Sequence, residues 1–203
     1  MADVIEKYDS EKFPFWVRPL PYDGYTYKEF KTWGEDVRVE LIDGIPYLMA
    51  SPDEWHQWVA MELSGQIRNQ LQGKNCSVYA EFDVRLFYKE DESDNTTVRP
   101  DIIVVCDESK TLGKKSCHGA PDFVIEILSE FSEGRDFIDK KKKYEKGGVK
   151  EYWIVSSDKL HIFTLAGQTF QENTVSIHRD LKQSVSCLEG CFIDFRVMVD
   201  RYR

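Results

Sequence analysis

Apolar and polar positions alternate along this chain with two different periods, and the switches between them mark its elements. "VRVELIDGIPYLM", from Val37, is two alternating runs that meet at Asp43-Gly44, which predicts a tight hairpin. From Pro52 the period becomes helical. Trp55, Val59, Leu63, Ile67 and Leu71 are spaced by four, which predicts a helix of about 20 residues that Gly73 ends. "CSVYAEFDVRLFY" predicts one or two strands. "VRPDIIVVCD" and "PDFVIEILS" are short runs rich in Val and Ile, the pattern of central strands covered on both faces. Ser132 to Lys146 reads as a second helix stopped by Gly147-Gly148. "EYWIVS", "KLHIFTLA" and "TFQENTVSI" predict three further strands, and the tail ends in a short amphipathic helix. Near the front, Thr26 and Glu29 form a capping-box signature for a short helix to about Trp33. Residues 1–24, with "KFPFWVRPLPY", read as an aromatic, Pro-rich arm without its own core. No repeat or linker divides the rest, so 25–203 is expected to be one α/β domain: a mixed sheet with the two longer helices packed on it.

Composition narrows the function. The net charge of −9 counts against a broad, non-specific coat of nucleic acid, which would normally be basic. No apolar run reaches the ~18 residues of a membrane span. The charged N-terminus is unlike a secretory leader, so a cytoplasmic location is expected. The five cysteines are scattered and include no CxxC pair. They are expected to be reduced thiols, with neither a zinc ribbon nor a disulfide framework.

Two carboxylates break the apolar pattern. In "PDFVIEIL", alternation places Asp122, Val124, Glu126 and Leu128 on one face and Phe123, Ile125 and Ile127 on the other. Glu126 therefore lies within a strand that is apolar on both sides, where an ionised carboxylate needs a partner or a metal. Asp101 stands at the mouth of another such strand, in "RPDIIVV". Carboxylates at equivalent ends of neighbouring strands can share a hard divalent cation, and Mg²⁺ takes one or two carboxylates with water and phosphate oxygens. A nearby cation would complete a phosphodiester-cleaving site, and the run Lys140 to Lys143 offers one. Successive helical residues turn by about 100°, so the four lysines point in different directions. Positions 137, 140, 141 and 144 share the apolar face marked by Phe137 and Tyr144. Lys140 or Lys141 can lean toward the sheet, with Asp136 one turn before Lys140, while Lys142 and Lys143 are expected in solvent.

These segments, in order, resemble a bacterial restriction-endonuclease-like family of the PD-(D/E)XK phosphodiesterase superfamily. The resemblance runs from about Tyr25 to the C-terminus. It rests on "VELIDGIPYLM", the helix carrying His56, "VRPDIIVV", "GAPDFVIEILS" and "RDFIDKKKKYEKGGVKEYWIV". It implies a restriction-endonuclease-like fold, with Asp101 and Glu126 as metal ligands and the backbone carbonyl of Ile127 also facing the metal. The superfamily's usual lysine position is Leu128 here. The resemblance implies that the lysine has moved to the following helix, in a D-x-x-x-K-x-x-x-Y pattern matched by Asp136, Lys140 and Tyr144. Glu40 matches the family's N-terminal acidic position, near the metal or positioning Lys140. His56 falls where the family often has histidine, with a structural or substrate-side role.

The expected activity is therefore a Mg²⁺- or Mn²⁺-dependent endonuclease acting on DNA through a metal-activated water, as a homodimer suited to cutting two strands. Two other readings are a non-catalytic interaction protein that keeps the fold, and a binder of nucleic acid that does not cut it. Lys110, Lys114 and Lys115, between the two site strands, are candidate phosphate contacts or plain solvated charge. His118, His161 and His178 are expected at the surface.

Overall fold

The computed structural model describes residues 23–33, 38–128 and 135–202. Residues 1–22, nearly all of the expected arm, lie outside the described residues. Helix α1 (Tyr27–Phe30) begins at its capping box, where the Glu29 carboxylate accepts from the Thr26 N–H at 2.8 Å and from the Thr26 hydroxyl at 2.9 Å. The hairpin of β1 (Val39–Ile42) and β2 (Ile45–Leu48) turns at Asp43 and Gly44, whose φ angles are 52° and 77°. Such a left-handed pair suits the twist of flanking strands. Gly44 is also required by a close approach, because a Cβ there would sit 2.9 Å from Gly24 Cα.

Helix α2 (Glu54–Gln70) is 17 residues long and buries Val59, Leu63 and Ile67. Asp53 caps it by accepting from the His56 N–H at 2.8 Å. The chain continues through β3 (Ser77–Ala80), β4 (Val84–Arg85), β5 (Thr97–Val98), β6 (Ile102–Val105), β7 (Cys117–His118) and β8 (Phe123–Ile127). A π-helical segment, Arg135–Lys140, then leads into α3 (Lys141–Gly147), which Gly148 caps at φ 85°. The continuous α-helix expected over 132–146 is thus two segments of different winding, and 129–134 lie outside the described residues. β9 (Glu151–Val155), β10 (Lys159–Ala166) and β11 (Thr169–Ser176) follow, then the short β12 (Lys182–Ser184) and β13 (Phe192–Asp194), and finally α4 (Arg196–Tyr202).

The strands form a six-stranded sheet, β11-β10-β9-β8-β6-β3, a five-stranded sheet, β2-β1-β5-β4-β7, and the separate pair β12-β13. The larger sheet is mixed: β8 and β9 run parallel, and its other pairs are antiparallel. One of its faces carries Ile102, Val104, Phe123, Ile125 and Trp153 against the buried stripe of α2. The opposite face carries Ile103, Val124, Tyr152 and Ile154. These pack against Tyr144 of α3 and against Ile42, Val84 and Val98 of the smaller sheet. The alternation read from "PDFVIEIL" is the alternation observed: odd-numbered residues face α2 and even-numbered residues face α3.

The cysteines depart from expectation. Cys76 and Cys106 are joined in a disulfide, leaving Cys117, Cys187 and Cys191 free among the described residues. The cause is register. Ser77 faces Val105 across β3 and β6, so the next residues outward, 76 and 106, fall opposite each other. Their separation in sequence gave no hint of this.

Candidate active site

The antiparallel pairing of β6 with β8 sets Ile102 opposite Ile125. One step outward, the same register sets Asp101 opposite Glu126 at one end of the sheet. Asp101 Oδ2 accepts the Ile127 backbone N–H at 2.6 Å and faces His56 Nε2 at 3.1 Å. Glu126 is only 3% exposed, and its Oε1 accepts from Lys140 Nζ and from the Tyr144 hydroxyl, both at 2.8 Å. Lys140, also 3% exposed, reaches Glu40 Oε1 at 2.9 Å. Glu40 Oε1 in turn accepts the Arg99 backbone N–H at 2.8 Å. Glu40 comes from the smaller sheet, Asp101 and Glu126 from the larger one, and Lys140 from the π-to-α junction. The site therefore lies where the two sheets and the second helical segment meet.

The structure brings together Asp101, Glu126, Ile127, Lys140 and Glu40. Glu40 meets Lys140 directly. The Asp136 side chain lies outside the described residues. Of the neighbouring lysines, Lys142 is exposed, as the helical geometry predicts. Lys143 is not a free solvated charge: its ammonium pairs with Asp43 of the hairpin turn at 2.6 Å. Lys141 pairs with Glu172 at 2.9 Å and lies 4.3 Å above the Phe163 ring.

Burial and neighbours shape the titration of this cluster. Burial pushes the Tyr144 phenol well above its ordinary value, and the charge of Glu126 adds to that effect. Tyr144 thus stays a neutral donor. For His56, burial works to lower the pKa. The hydrogen bond to Asp101 and the charges of Asp101, Asp53 and Glu81 outweigh it, so the net direction is upward.

Two contributors escaped sequence reading, and a third was read only in part. Tyr144 was visible only as an apolar marker and a pattern match, yet its hydroxyl donates to Glu126. Arg99 holds Glu40 through its backbone while its guanidinium grips Asp83 at 2.6 Å. Glu81 sits at φ 48°, a left-handed conformation that costs a non-glycine residue energy. Its N–H donates to the Asp101 carbonyl at 3.1 Å, and its carboxylate pairs with Arg38 at 2.9 Å. The Arg38 hydrogen bonds hold the Glu81 carboxyl below its ordinary value. No local signal marks a backbone contact or a strained φ in advance.

Lys110 donates to the Ala120 carbonyl at 2.8 Å and Lys114 to the Ser109 carbonyl, so both ammonium groups brace their own loop. Of the histidines expected at the surface, His178 is exposed. His118 instead stacks on Tyr88, with ring centroids 4.0 Å apart, and His161 packs edge-on against Phe137.

Asp101 and Glu126 are the carboxylates that could contribute oxygens to a divalent cation. Glu40, Asp101 and Glu126 set three carboxylates against the single ammonium of Lys140, an excess of two negative charges when His56 is neutral. Among the described residues, no cluster of three or more His, Cys, Asp or Glu side chains could hold a metal. A cation here would take few protein oxygens and retain water, which is the habit of Mg²⁺.

The fold is of the restriction-endonuclease-like kind. Residues 27–195 match the Uma2 family, described as "Putative restriction endonuclease", and the chain belongs to that family. The structure is also similar to a crystal structure described as a "putative nuclease belonging to DUF820" from Anabaena variabilis ATCC 29413. The TM-score is 0.70 and the identity 16%, covering 87% of this chain and 98% of that one. No curated protein matches the chain. Among the described residues, no helix is long and apolar enough to cross a membrane.

Proposed function

We propose that the protein is a Mg²⁺- or Mn²⁺-dependent endonuclease that hydrolyses phosphodiester bonds in DNA. The observation that carries this reading is the buried ammonium of Lys140, clamped between Glu126 and Glu40, with Asp101 opposite Glu126 in the strand register. Such an arrangement is costly as a purely structural device, and it combines what phosphodiester cleavage needs.

The Asp101 and Glu126 carboxylates, with the Ile127 carbonyl, would hold the cation. When bound, the cation makes a water acidic enough to act as nucleophile near neutral pH and offsets phosphate charge. The chain's own residues do the positioning. The Ile127 N–H fixes Asp101, and Tyr144 with Lys140 fixes Glu126. Glu40, anchored by the Arg99 N–H, holds the Lys140 ammonium in place. Lys140 thus presents a fixed positive charge where negative charge develops during phosphoryl transfer, which requires little reorganisation at the moment of reaction. A two-fold dimer of such chains would cut both strands of a duplex. The same reading takes 25–203 as the nuclease domain and 1–24 as an arm. It also includes a cytoplasmic location, against which the Cys76–Cys106 link weighs, because cytosolic thiols are usually kept reduced.

A second reading, an interaction protein that keeps the fold without cleaving, is favoured by one observation. Many basic side chains are engaged by carboxylates, including Lys31, Arg38, Arg85, Arg99, Lys141 and Lys143. That leaves fewer cations for a duplex. Supercoiled plasmid incubated with the full chain and Mg²⁺ or Mn²⁺ separates the two. Nicking is expected from the wild type and not from Asp101→Ala, Glu126→Ala or Lys140→Ala. Undiminished cleavage by these folded variants overturns the assignment of residues, and no cleavage by the wild type favours the interaction protein.

A further inference from the structure

We propose that His56 is a positioning residue for Asp101, orienting its carboxylate so that one oxygen is presented ready-made to the divalent cation. The inference rests on the reading of Asp101 as a cation ligand.

Two contacts converge on one oxygen. Asp101 Oδ2 accepts the Ile127 N–H at 2.6 Å and faces His56 Nε2 at 3.1 Å. Oδ1 accepts no hydrogen bond from the described residues. A carboxylate oxygen that accepts the Ile127 N–H and lies 3.1 Å from the His56 ring nitrogen has little freedom to swing about the Cβ–Cγ bond, so the other oxygen keeps one direction. The two contacts come from different layers, the β8 backbone and the first turn of α2. His56 is itself located by the Asp53 cap, through its own backbone N–H at 2.8 Å.

Fold stability does not account for this histidine. Its Nδ1 is buried and has no partner among the described residues. Burying a polar atom unpaired is a cost that a stabilising residue would avoid. A histidine placed in the first turn of a helix also meets the positive end of the helix dipole when it is charged. General-base catalysis does not account for it either. Nε2 is committed to Asp101 and Nδ1 is shut away from solvent, so neither nitrogen is offered to a water beside a phosphate. What remains is the single bond to Asp101. Groups that orient a metal's ligands in this way commonly change its affinity when removed.

The test is titration of Mn²⁺ into the metal-free full chain, followed by calorimetry and by the paramagnetic signal of free Mn²⁺. His56→Leu keeps the bulk and removes the donor. It is expected to weaken Mn²⁺ binding about 10–100-fold, with an unchanged far-UV spectrum and a melting temperature no lower than wild type. His56→Gln can place an amide N–H near the former Nε2 and is expected to recover most of the affinity. His56→Asn, one bond shorter, is expected not to. Wild-type affinity in His56→Leu overturns the proposal. If that variant does not fold, equal affinities in His56→Gln and His56→Asn overturn it instead. Asp101→Ala separates this failure from failure of the underlying reading: if Mn²⁺ binds Asp101→Ala as it binds the wild type, or binds neither, the cation assignment itself is wrong and this inference falls with it.

Discussion

Lys140 Nζ lies 2.8 Å from Glu126 Oε1, and both side chains are shut away from solvent. The lysine belongs to the junction of two helical windings and the glutamate to the third strand from one edge of a six-stranded sheet. Their union is the centre of the site, and most of what can be tested follows from it.

Removing the ammonium leaves Glu40 and Glu126 buried without their shared cation. Lys140→Met is therefore expected to destabilise the fold by about 3–5 kcal/mol, measured by urea unfolding. Adding Glu126→Gln should recover part of that loss, because one of the two orphaned charges disappears. Strict additivity of the two substitutions would show that the pair is not coupled.

Tyr144→Phe deletes one donor to Glu126 and keeps the ring packed against Tyr152, whose centroid lies 4.8 Å away. A hydrogen bond to a charged group contributes about 1.5–3 kcal/mol, so a loss near the lower end is expected while Lys140 still holds the carboxylate. DNA nicking should fall roughly 10-fold or more. Unchanged stability and unchanged nicking would remove Tyr144 from the site.

Glu151 supplies a pH test away from the site. Burial raises its pKa above 4.5, although hydrogen bonds from the Cys187 and Ser186 backbone and the Trp153 indole pull the other way. The folded state then holds its proton to higher pH than the unfolded chain does. Wild-type stability should fall, relative to Glu151→Gln, as pH rises from about 4.5 through the raised value, and the deficit is complete above it. Urea midpoints for both proteins across that range measure the slope. A gap that moves in the opposite direction would mean that the hydrogen bonds win over burial.

The Cys76–Cys106 link predicts a thiol count. Denatured without reductant, the chain should expose three titratable thiols, and after reduction five. Five in both cases would restore the expectation of reduced cysteines.

Local chemistry was legible wherever the cause was local. The Thr26–Glu29 capping box, the Asp43-Gly44 turn, the period-four stripe of α2 and the alternation around Glu126 each depend on residues close in sequence, and each is where the pattern put it. The split of the strands into two sheets was not legible. β4, β5 and β7 are two-residue strands, and only their pairing with β1 and with one another defines them as a sheet. The disulfide and the ion pair between Lys143 and Asp43 were hidden for the same reason, since residues 30 and 100 positions apart meet only through register and packing.

The candidate site divides in the same way. The sequence by itself determined that Glu126 and Asp101 would interrupt apolar strands, and that only one side of the lysine run could face the sheet. Both conclusions follow from the periods of strand and helix. Tertiary structure alone decided that Lys140 answers to Glu126 and Glu40 together, that the Arg99 backbone holds Glu40, and that His56 meets Asp101. Those contacts join separate layers of the fold, and no periodicity within one segment carries information about which distant segment will be packed against it.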